Sequence, residues 1–311
     1  MQPVQLLRLS LRLVYLSWLL PLCLSAQGEE LEDDLEFDEN NAEHTGFEPE
    51  DLSPMDVAKV YFSPMPPQVK QLVTCCELDS EDALFHDQMM FMLPDNRDAE
   101  AELLWSRGDS AVARTYLKVG EFERAYYIFM VKREGWKVAA SRTVQGIDLA
   151  ESLLLETREL DDIGVSQLDS SLANASNGQM TWRLMLRNAW LLTSSDDDLQ
   201  DYFFDNREAF STLRQRTYES LAIMAESRDR VVEFNPMLAE ALKTLALQDA
   251  SIDRYLDEKH DKVLFFQIGG NGYDTMGYFY AEKGARIPRM WHDRFILVQP
   301  LEDGWYLFKT S

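Results

Sequence analysis

Residues 112–138 alternate apolar and polar positions between short polar turns, as antiparallel strands do. Two strands are predicted, Val112–Val119 and Phe122–Lys132, with a turn at Gly120 between them. The turn Glu134-Gly135 then leads into a short strand that begins at Trp136. This stretch therefore predicts a small antiparallel meander.

Residues 262–310 show the same order near the end of the chain. Four strands are predicted, at Lys262–Ile268, Gly277–Glu282, Trp291–Val298 and Trp305–Phe308. Glycines at 269, 270 and 272 form a loose turn after the first of them. Both meanders end in an acidic residue, a glycine and a tryptophan, so the chain is predicted to contain two similar halves.

Helical patterns precede each meander. Ser53-Pro54 is a helix start, and Asp98–Trp105 reads as a short helix that ends near Gly108. From Leu199 to Met224 apolar residues recur at steps of three or four, which makes one helical face. A further helix is predicted to start at Asn235-Pro236 and carries one apolar face. That face consists of Leu238, Leu242, Leu245 and Ile252.

The middle of the chain joins the two halves. Leu149–Leu160 has a helical composition, Asp161–Gln179 reads as a loop or linker, and Thr181–Leu192 is amphipathic. We therefore predict an α+β fold of two small domains, each with helices packed on an antiparallel meander sheet. The first domain is residues 53–145, a helical or loop connector is 146–195, and the second domain is 196–311, with two helices and a four-stranded sheet.

The first 52 residues carry targeting and linker signals. Arg8 and Arg12 precede a short apolar run, Leu13–Leu24, and small residues follow it, so residues 1–26 are predicted to be a cleaved signal peptide. A retained N-terminal anchor is the alternative. A lipid-modified Cys23 is disfavoured because Leu22 before it is not small. Residues 27–52 are predicted to be a disordered acidic linker, since Gln27–Asp51 holds 12 acidic residues and no Lys or Arg.

Charge narrows the classes of partner. The chain carries a formal net charge of −24, so nucleic acid and anionic membranes are disfavoured as partners. No membrane span is expected after signal cleavage. Apart from Cys23, the cysteines are the neighbours Cys75 and Cys76, and a bridge between them would be strained. Two reduced thiols on one buried segment are the alternative, and in either case a hydrophobic core must hold the fold.

The first half resembles the NTF2-like, or SnoaL-like, superfamily of cone-shaped α+β domains. The stretches that carry the resemblance are Arg114–Val119, Ala125–Val131 and Lys132–Val138. Enzymes of that superfamily place an acid or a base inside the cone, which makes His86, Asp87 and Arg114 the candidates here. The superfamily also contains accessory and binding domains, so the resemblance implies a fold rather than an activity.

The second half resembles a module of secreted bacterial proteins whose function is obscure. The residues that carry this resemblance are Asp197–Phe203, Asn206–Phe210, Val263–Phe266, Gly277–Tyr280 and Gly304–Leu307. This likeness supports the domain boundary near residue 196. It brings no activity, ligand or cofactor with it.

Motifs that would mark a catalytic, metal or cofactor site are missing from the sequence. His86, His260 and His292 each precede an aspartate, but no matching set of metal ligands accompanies them. The glycines after residue 268 lead into a strand, whereas a dinucleotide site needs a helix there. Tyr126 and Tyr278 belong to aromatic groups that either line a ligand pocket or pack in the core.

These observations favour an exported, non-catalytic binding or interaction protein of the bacterial periplasm or the extracellular space. Its partner is an unknown protein or a small molecule. One alternative is a hydrolase or isomerase that uses the pocket of the first half. A second alternative is an inhibitor or immunity protein whose acidic surface binds a basic partner.

Overall fold

The computed structural model describes residues 51–63, 72–74, 101–144, 146–158, 160–175, 181–223, 236–252, 263–271 and 274–311. Seven helices lie in these ranges: α1 (Pro54–Phe62), α2 (Asp148–Thr157), α3 (Asp162–Ala175), α4 (Trp182–Thr193), α5 (Asp196–Asp205), α6 (Arg207–Ile223) and α7 (Pro236–Thr244). The same ranges hold nine strands: β1 (Ala101–Arg107), β2 (Ser110–Val119), β3 (Phe122–Lys132), β4 (Trp136–Arg142), β5 (Asp249–Ile252), β6 (Val263–Asn271), β7 (Asp274–Ala281), β8 (Phe295–Pro300) and β9 (Trp305–Thr310). The strands form two antiparallel sheets, which confirms the predicted α+β class.

The first sheet is a meander in the order β1-β2-β3-β4. A two-residue turn joins β1 to β2, and in it Gly108 has a φ of 61° while Arg107 pairs with Ser110. Glycine adopts that φ without a steric penalty, and a turn that starts this way matches the twist of the flanking strands. β2 and β3 then pair along their whole length, from Ser110 with Val131 to Val119 with Phe122.

Both faces of the first sheet are covered, which explains the nearly unbroken apolar runs of its central strands. Helix α1 begins with a capping box between Ser53 and Asp56, as the Ser-Pro pattern predicted, and packs on one face. The sheet residues of this face are Ala111, Ala113, Leu117, Tyr126, Ile128, Met130 and Val138. The opposite face carries Val112, Tyr127, Phe129 and Ala140 and belongs to a larger core.

Helices α2, α3 and α4 form a small layer of their own. Ala150, Leu153, Leu168, Trp182 and Ala189 are the buried residues between them. Helix α4 also contacts β3 of the first sheet and β6 of the second. The connector therefore packs on both sheets.

Helix α5 begins with a second capping box, between Ser195 and Asp198. It ends at Asn206, whose φ of −113° and ψ of 20° leave the helical region, and α6 starts at the next residue. The Asn206 side chain donates a hydrogen bond to the carbonyl oxygen of Tyr202 at 2.8 Å and satisfies that helix end. The single apolar face predicted from Leu199 to Met224 is thus divided between two helices within the described ranges.

The second sheet has the order β5-β6-β7-β9-β8, so the last strand of the chain lies between two earlier ones. β8 and β9 are joined by the predicted turn, in which Asp303 and Gly304 have φ values of 53° and 85°. Two successive positive φ values are typical of the tightest hairpin turns. A Cβ on Gly304 would lie 2.7 Å from the carbonyl oxygen of Ala281, so glycine also fits there for steric reasons.

One hydrophobic cluster connects the two sheets. The inner face of the second sheet contributes Leu264, Phe266, Ile268, Met276, Tyr278, Trp305 and Leu307, and Val112, Tyr127, Phe129 and Ala140 of the first sheet belong to the same cluster. Helices α4 to α7 supply further members, among them Leu191, Leu199, Phe203, Phe210 and Leu238. On the outer face Phe265, Phe279, Phe295 and Phe308 form a separate cluster against Ile287.

Four predicted elements are wrong. The stretch from Ala101 is strand β1 rather than a helix, and residues 162–175 are helix α3 rather than a loop. The strand predicted from Trp291 begins only at Phe295, because residues 291–294 form a turn. Ile252 belongs to β5 rather than to a helix face, so the second sheet has five strands instead of four.

The predicted signal peptide, most of the acidic linker, Cys75 and Cys76 lie outside the described residues. Within the ranges that are described, no helix combines the length and the hydrophobicity needed to cross a bilayer.

Candidate functional site

A cleft of about 1110 Å³ lies between the first sheet and the loop that precedes β8. One wall consists of residues at the ends of β1, β2 and β3 and in the turns that follow β1 and β3. The other wall consists of residues 287–292 with Val298, Pro300 and Tyr306. Ligand sites commonly measure roughly 300–1,000 Å³, so this cleft is large enough for a small organic molecule.

Three arginines line the cleft, and each comes from a different part of the chain. Arg107 ends β1, Arg133 lies in the turn after β3, and Arg289 lies in the opposite wall. All three are exposed, and none forms an ion pair with another described residue. None of the described lining residues is an aspartate or a glutamate, although the chain has 54 acidic and only 30 basic residues. The described lining therefore carries a positive formal charge on an acidic protein.

Exposed tryptophans stand on both walls. Trp105 of β1 is 38% exposed and Trp291 of the facing loop is 53% exposed. Beside Trp291, the His292 ring lies 6.0 Å from the ring of Phe129 between centroids, and Arg142 Nε donates to the His292 carbonyl oxygen at 3.2 Å. These contacts attach the loop to the first sheet.

The lining offers few groups for catalysis. Its described residues contribute one imidazole, that of His292, and the hydroxyls of Ser110 and Tyr306, but no carboxylate and no thiol. Within the described ranges, no three His, Cys, Asp or Glu side chains come together as a metal site requires.

A second polar site lies fully buried between the two sheets, and we refer to Arg114, Tyr127, Asp196 and Lys309 as the Asp196 cluster. Asp196, at the start of α5, is 0% exposed. Its carboxylate accepts hydrogen bonds from Arg114 Nη1 at 2.8 Å and from the Tyr127 hydroxyl at 2.7 Å. Lys309 Nζ of β9 lies 2.6 Å from Asp196 Oδ1. One carboxylate therefore holds groups from β2, β3 and β9.

Electrostatics keep Asp196 ionised despite its burial. Burial by itself raises the pKa of a carboxyl, but the charges of Lys309 and Arg114 and their hydrogen bonds more than offset it, so the pKa of Asp196 is lowered. The positive end of the α5 macrodipole favours the same charge state. Burial, followed by the nearby Asp196 charge, raises the pKa of Tyr127 well above its ordinary value, so Tyr127 remains a hydrogen-bond donor.

The Asp196 cluster extends to the surface through Arg114. The guanidinium also pairs with Glu102, whose side chain is largely exposed, and approaches Asp197 at 3.4 Å. It lies 4.9 Å from the centre of the Tyr116 ring. The pairing is incomplete, because Arg114 Nε is buried without a hydrogen-bond partner among the described residues. We interpret this cluster as the polar link between the two halves.

The predicted site residues are not gathered in one place. Arg114 belongs to the Asp196 cluster, Tyr126 is buried beneath α1 beside Phe62, and Tyr278 is buried in the shared core, where its hydroxyl donates to the Leu199 carbonyl oxygen at 2.7 Å. None of these three lines the cleft. His86 and Asp87 lie outside the described residues, so their part in a pocket stays a prediction.

Apart from Arg114, sequence reasoning missed the residues that form both sites. Lys309 had a usable signal, because strand alternation places it on the same face as Trp305 and Leu307, where a lysine needs a buried partner. Pro288 was a second signal, since proline argues against a central strand and in favour of the loop that carries Arg289 and Trp291. The burial of Asp196 had no sequence signal, because Asp197 and Asp198 beside it have the same side chain and are exposed.

Comparison of the chain with protein families, with curated proteins and with solved structures found no match in any of the three.

Proposed function

We propose that this protein is a non-catalytic binding protein and that the cleft between the first sheet and residues 287–292 holds its ligand. The observation that carries the proposal is the lining of the cleft, whose described residues combine two exposed tryptophans with three arginines and include no carboxylate and no thiol. Exposed aromatic side chains beside a concave surface are typical of ligand sites.

Export belongs to the same proposal and rests on the sequence alone. The charged start, the short apolar run and the small residues before Gln27 support a secreted or periplasmic protein. The NTF2-like resemblance of the first half is likewise proposed, and the meander with α1 on one face agrees with it.

Binding of a neutral aromatic probe tests the proposal. N-phenylnaphthylamine fluoresces in apolar sites, and we expect it to bind the full chain at one site. Trp291→Ala should weaken this binding about tenfold, because a stacked ring contributes about 1–1.5 kcal/mol. Trp190→Ala is the matched control, since Trp190 is 44% exposed on α4 and does not line the cleft. Equal loss in both variants, or no binding at all, would refute a ligand site in the cleft.

A further inference from the structure

We infer that the ligand of the cleft is a small organic anion with an aromatic or similarly apolar body. This inference rests on the proposed function and names the class of molecule that the lining recognises. The acidic group would face Arg107, Arg133 and Arg289, and the apolar body would lie between Trp105 and Trp291.

Positive charge is concentrated along the lining of the cleft. Three guanidinium groups border one cleft, and like charges that share a surface repel one another. Some surface arginines elsewhere in this chain have carboxylate partners: Arg158 pairs with Glu121, and Arg207 lies 2.8 Å from Glu302. The three cleft arginines have no such partner within the described ranges. An anionic ligand would relieve this repulsion.

The geometry of a guanidinium group suits an acidic ligand group. A guanidinium presents paired N–H donors that match the two oxygens of a carboxylate, a sulfonate or a phosphate, and such charge-assisted bonds are stronger than neutral ones. Arg107 and Arg133 stand at the same end of the first sheet, because β1 and β3 both run toward the turns at residues 108 and 133. Arg289 faces them from the loop. An acidic group at this end of the cleft would therefore have donors on both sides.

Most of the other described side chains of the lining are apolar. Val112, Phe129, Ile287, Met290 and Val298 line the cleft together with the tryptophans and the arginines. A bare inorganic anion would leave this surface in contact with water. A neutral hydrocarbon would leave the guanidinium groups unpaired. An amphipathic anion is the class of molecule that satisfies both parts of the lining.

A matched pair of probes tests the ligand class. Anilinonaphthalene sulfonate and N-phenylnaphthylamine share the same aromatic rings and differ in the sulfonate group. We expect the full chain to bind the sulfonate about tenfold more tightly than the neutral probe, as one charge-assisted contact would produce. Arg289→Gln should remove most of that difference and leave the affinity for the neutral probe unchanged.

Arg286→Gln is the control, because Arg286 is exposed in the same loop and does not line the cleft. Arg133→Gln is the second test variant, because it alters the opposite wall. Equal affinity for both probes, with no effect of Arg289→Gln or Arg133→Gln, would overturn the anion inference. If binding of the neutral probe still depends on Trp291 in that experiment, the proposed function stands. If no probe responds to Trp291→Ala, the proposed function fails as well.

Discussion

Asp196 illustrates how one residue can differ from chemically identical neighbours. It shares the sequence Asp-Asp-Asp with Asp197 and Asp198, yet only Asp196 is buried, between Arg114 and Lys309. We expect Asp196→Asn to lower the free energy of unfolding by about 3–5 kcal/mol at neutral pH, because two buried cations lose their counter-charge. Asp197→Asn should cost about 0–1 kcal/mol, since the side chain of Asp197 is 73% exposed. Chemical denaturation of both variants measures the difference, and equal losses would contradict the assigned role.

The same carboxylate predicts an acid dependence of stability. The pKa of Asp196 is lower in the folded protein than its ordinary value, which is about 3.9 in unfolded chains. Its contribution is therefore complete above about pH 4 and is lost as the pH falls through the lower folded pKa. The stability gap between the wild type and Asp196→Asn should narrow over that acid range. A gap that stays constant down to pH 2 would show that Asp196 does not titrate with a lowered pKa.

Residue types along the sequence predicted part of this chemistry. The run of serines and aspartates before Leu199 predicted the helix start correctly, because capping depends only on local geometry. The burial of Asp196 depends on Arg114 and Lys309, which are more than 80 and 110 positions away in the chain. No local sequence pattern indicates contacts between residues so far apart in the chain.

Strands β4 and β9 each begin with a tryptophan that follows an acidic residue and a glycine. The two tryptophans nevertheless lie in different environments. Trp305 is 5% exposed, and its ring lies 5.4 Å from those of Phe210 and Phe266 between centroids. Trp136 is only half-buried, at the edge of the α1 cluster, with Lys132 Nζ 6.0 Å from its ring centre.

We therefore expect the two strands to respond differently to truncation of that first residue. Trp305→Ala should cost about 3–5 kcal/mol, because it leaves a cavity in the aromatic core. Trp136→Ala should cost about 1–2 kcal/mol, because part of the ring is already in water. Urea denaturation followed by circular dichroism compares them. Equal costs would restore the sequence-based expectation that both tryptophans serve the same packing role.

Other elements show where local patterns fail. Residues 101–107 have a helical composition, but they pair with β2 through the tight turn at Gly108. Helix α3 has a loop-like composition, yet Val165 and Leu168 pack in the small cluster with Trp182 of α4. In both cases tertiary contacts outweigh a weak intrinsic preference. The central strands β2, β3, β6 and β9 were predicted correctly because their apolar content is high enough to indicate a strand without knowledge of the tertiary contacts.

For the molecule as a whole, the shared core couples the two halves. Tyr127 and Phe129 of the first sheet belong to the same cluster as Tyr278 and Leu307 of the second, and the Asp196 cluster links the same sheets. We expect calorimetry of the full chain to give one unfolding transition whose calorimetric and van't Hoff enthalpies agree. Two separate transitions would instead support the independent domains predicted from the sequence, a division that stays a prediction.

The cleft could not be predicted from the sequence alone. Its arginines belong to a strand end, a turn and a loop, and only the packing of the loop on the first sheet brings them to one surface. The fold class followed from periodicity because each element carries its own signal. A site assembled from residues of several elements has no local sequence pattern, so it is recognised only once the fold is known.

The position of β9 has a consequence for the synthesis of the protein. Among the described strands β9 is synthesised last, yet it lies between β7 and β8 and brings Lys309 to Asp196. Until residues 305–310 leave the ribosome, β7 and β8 each present an unpaired edge, and Asp196 lacks one of its two buried cations. Unpaired edges are templates for aggregation. A nonsense codon or a protease cut just before Trp305 would therefore remove all six residues of β9 and leave β7 and β8 with exposed edges that favour aggregation.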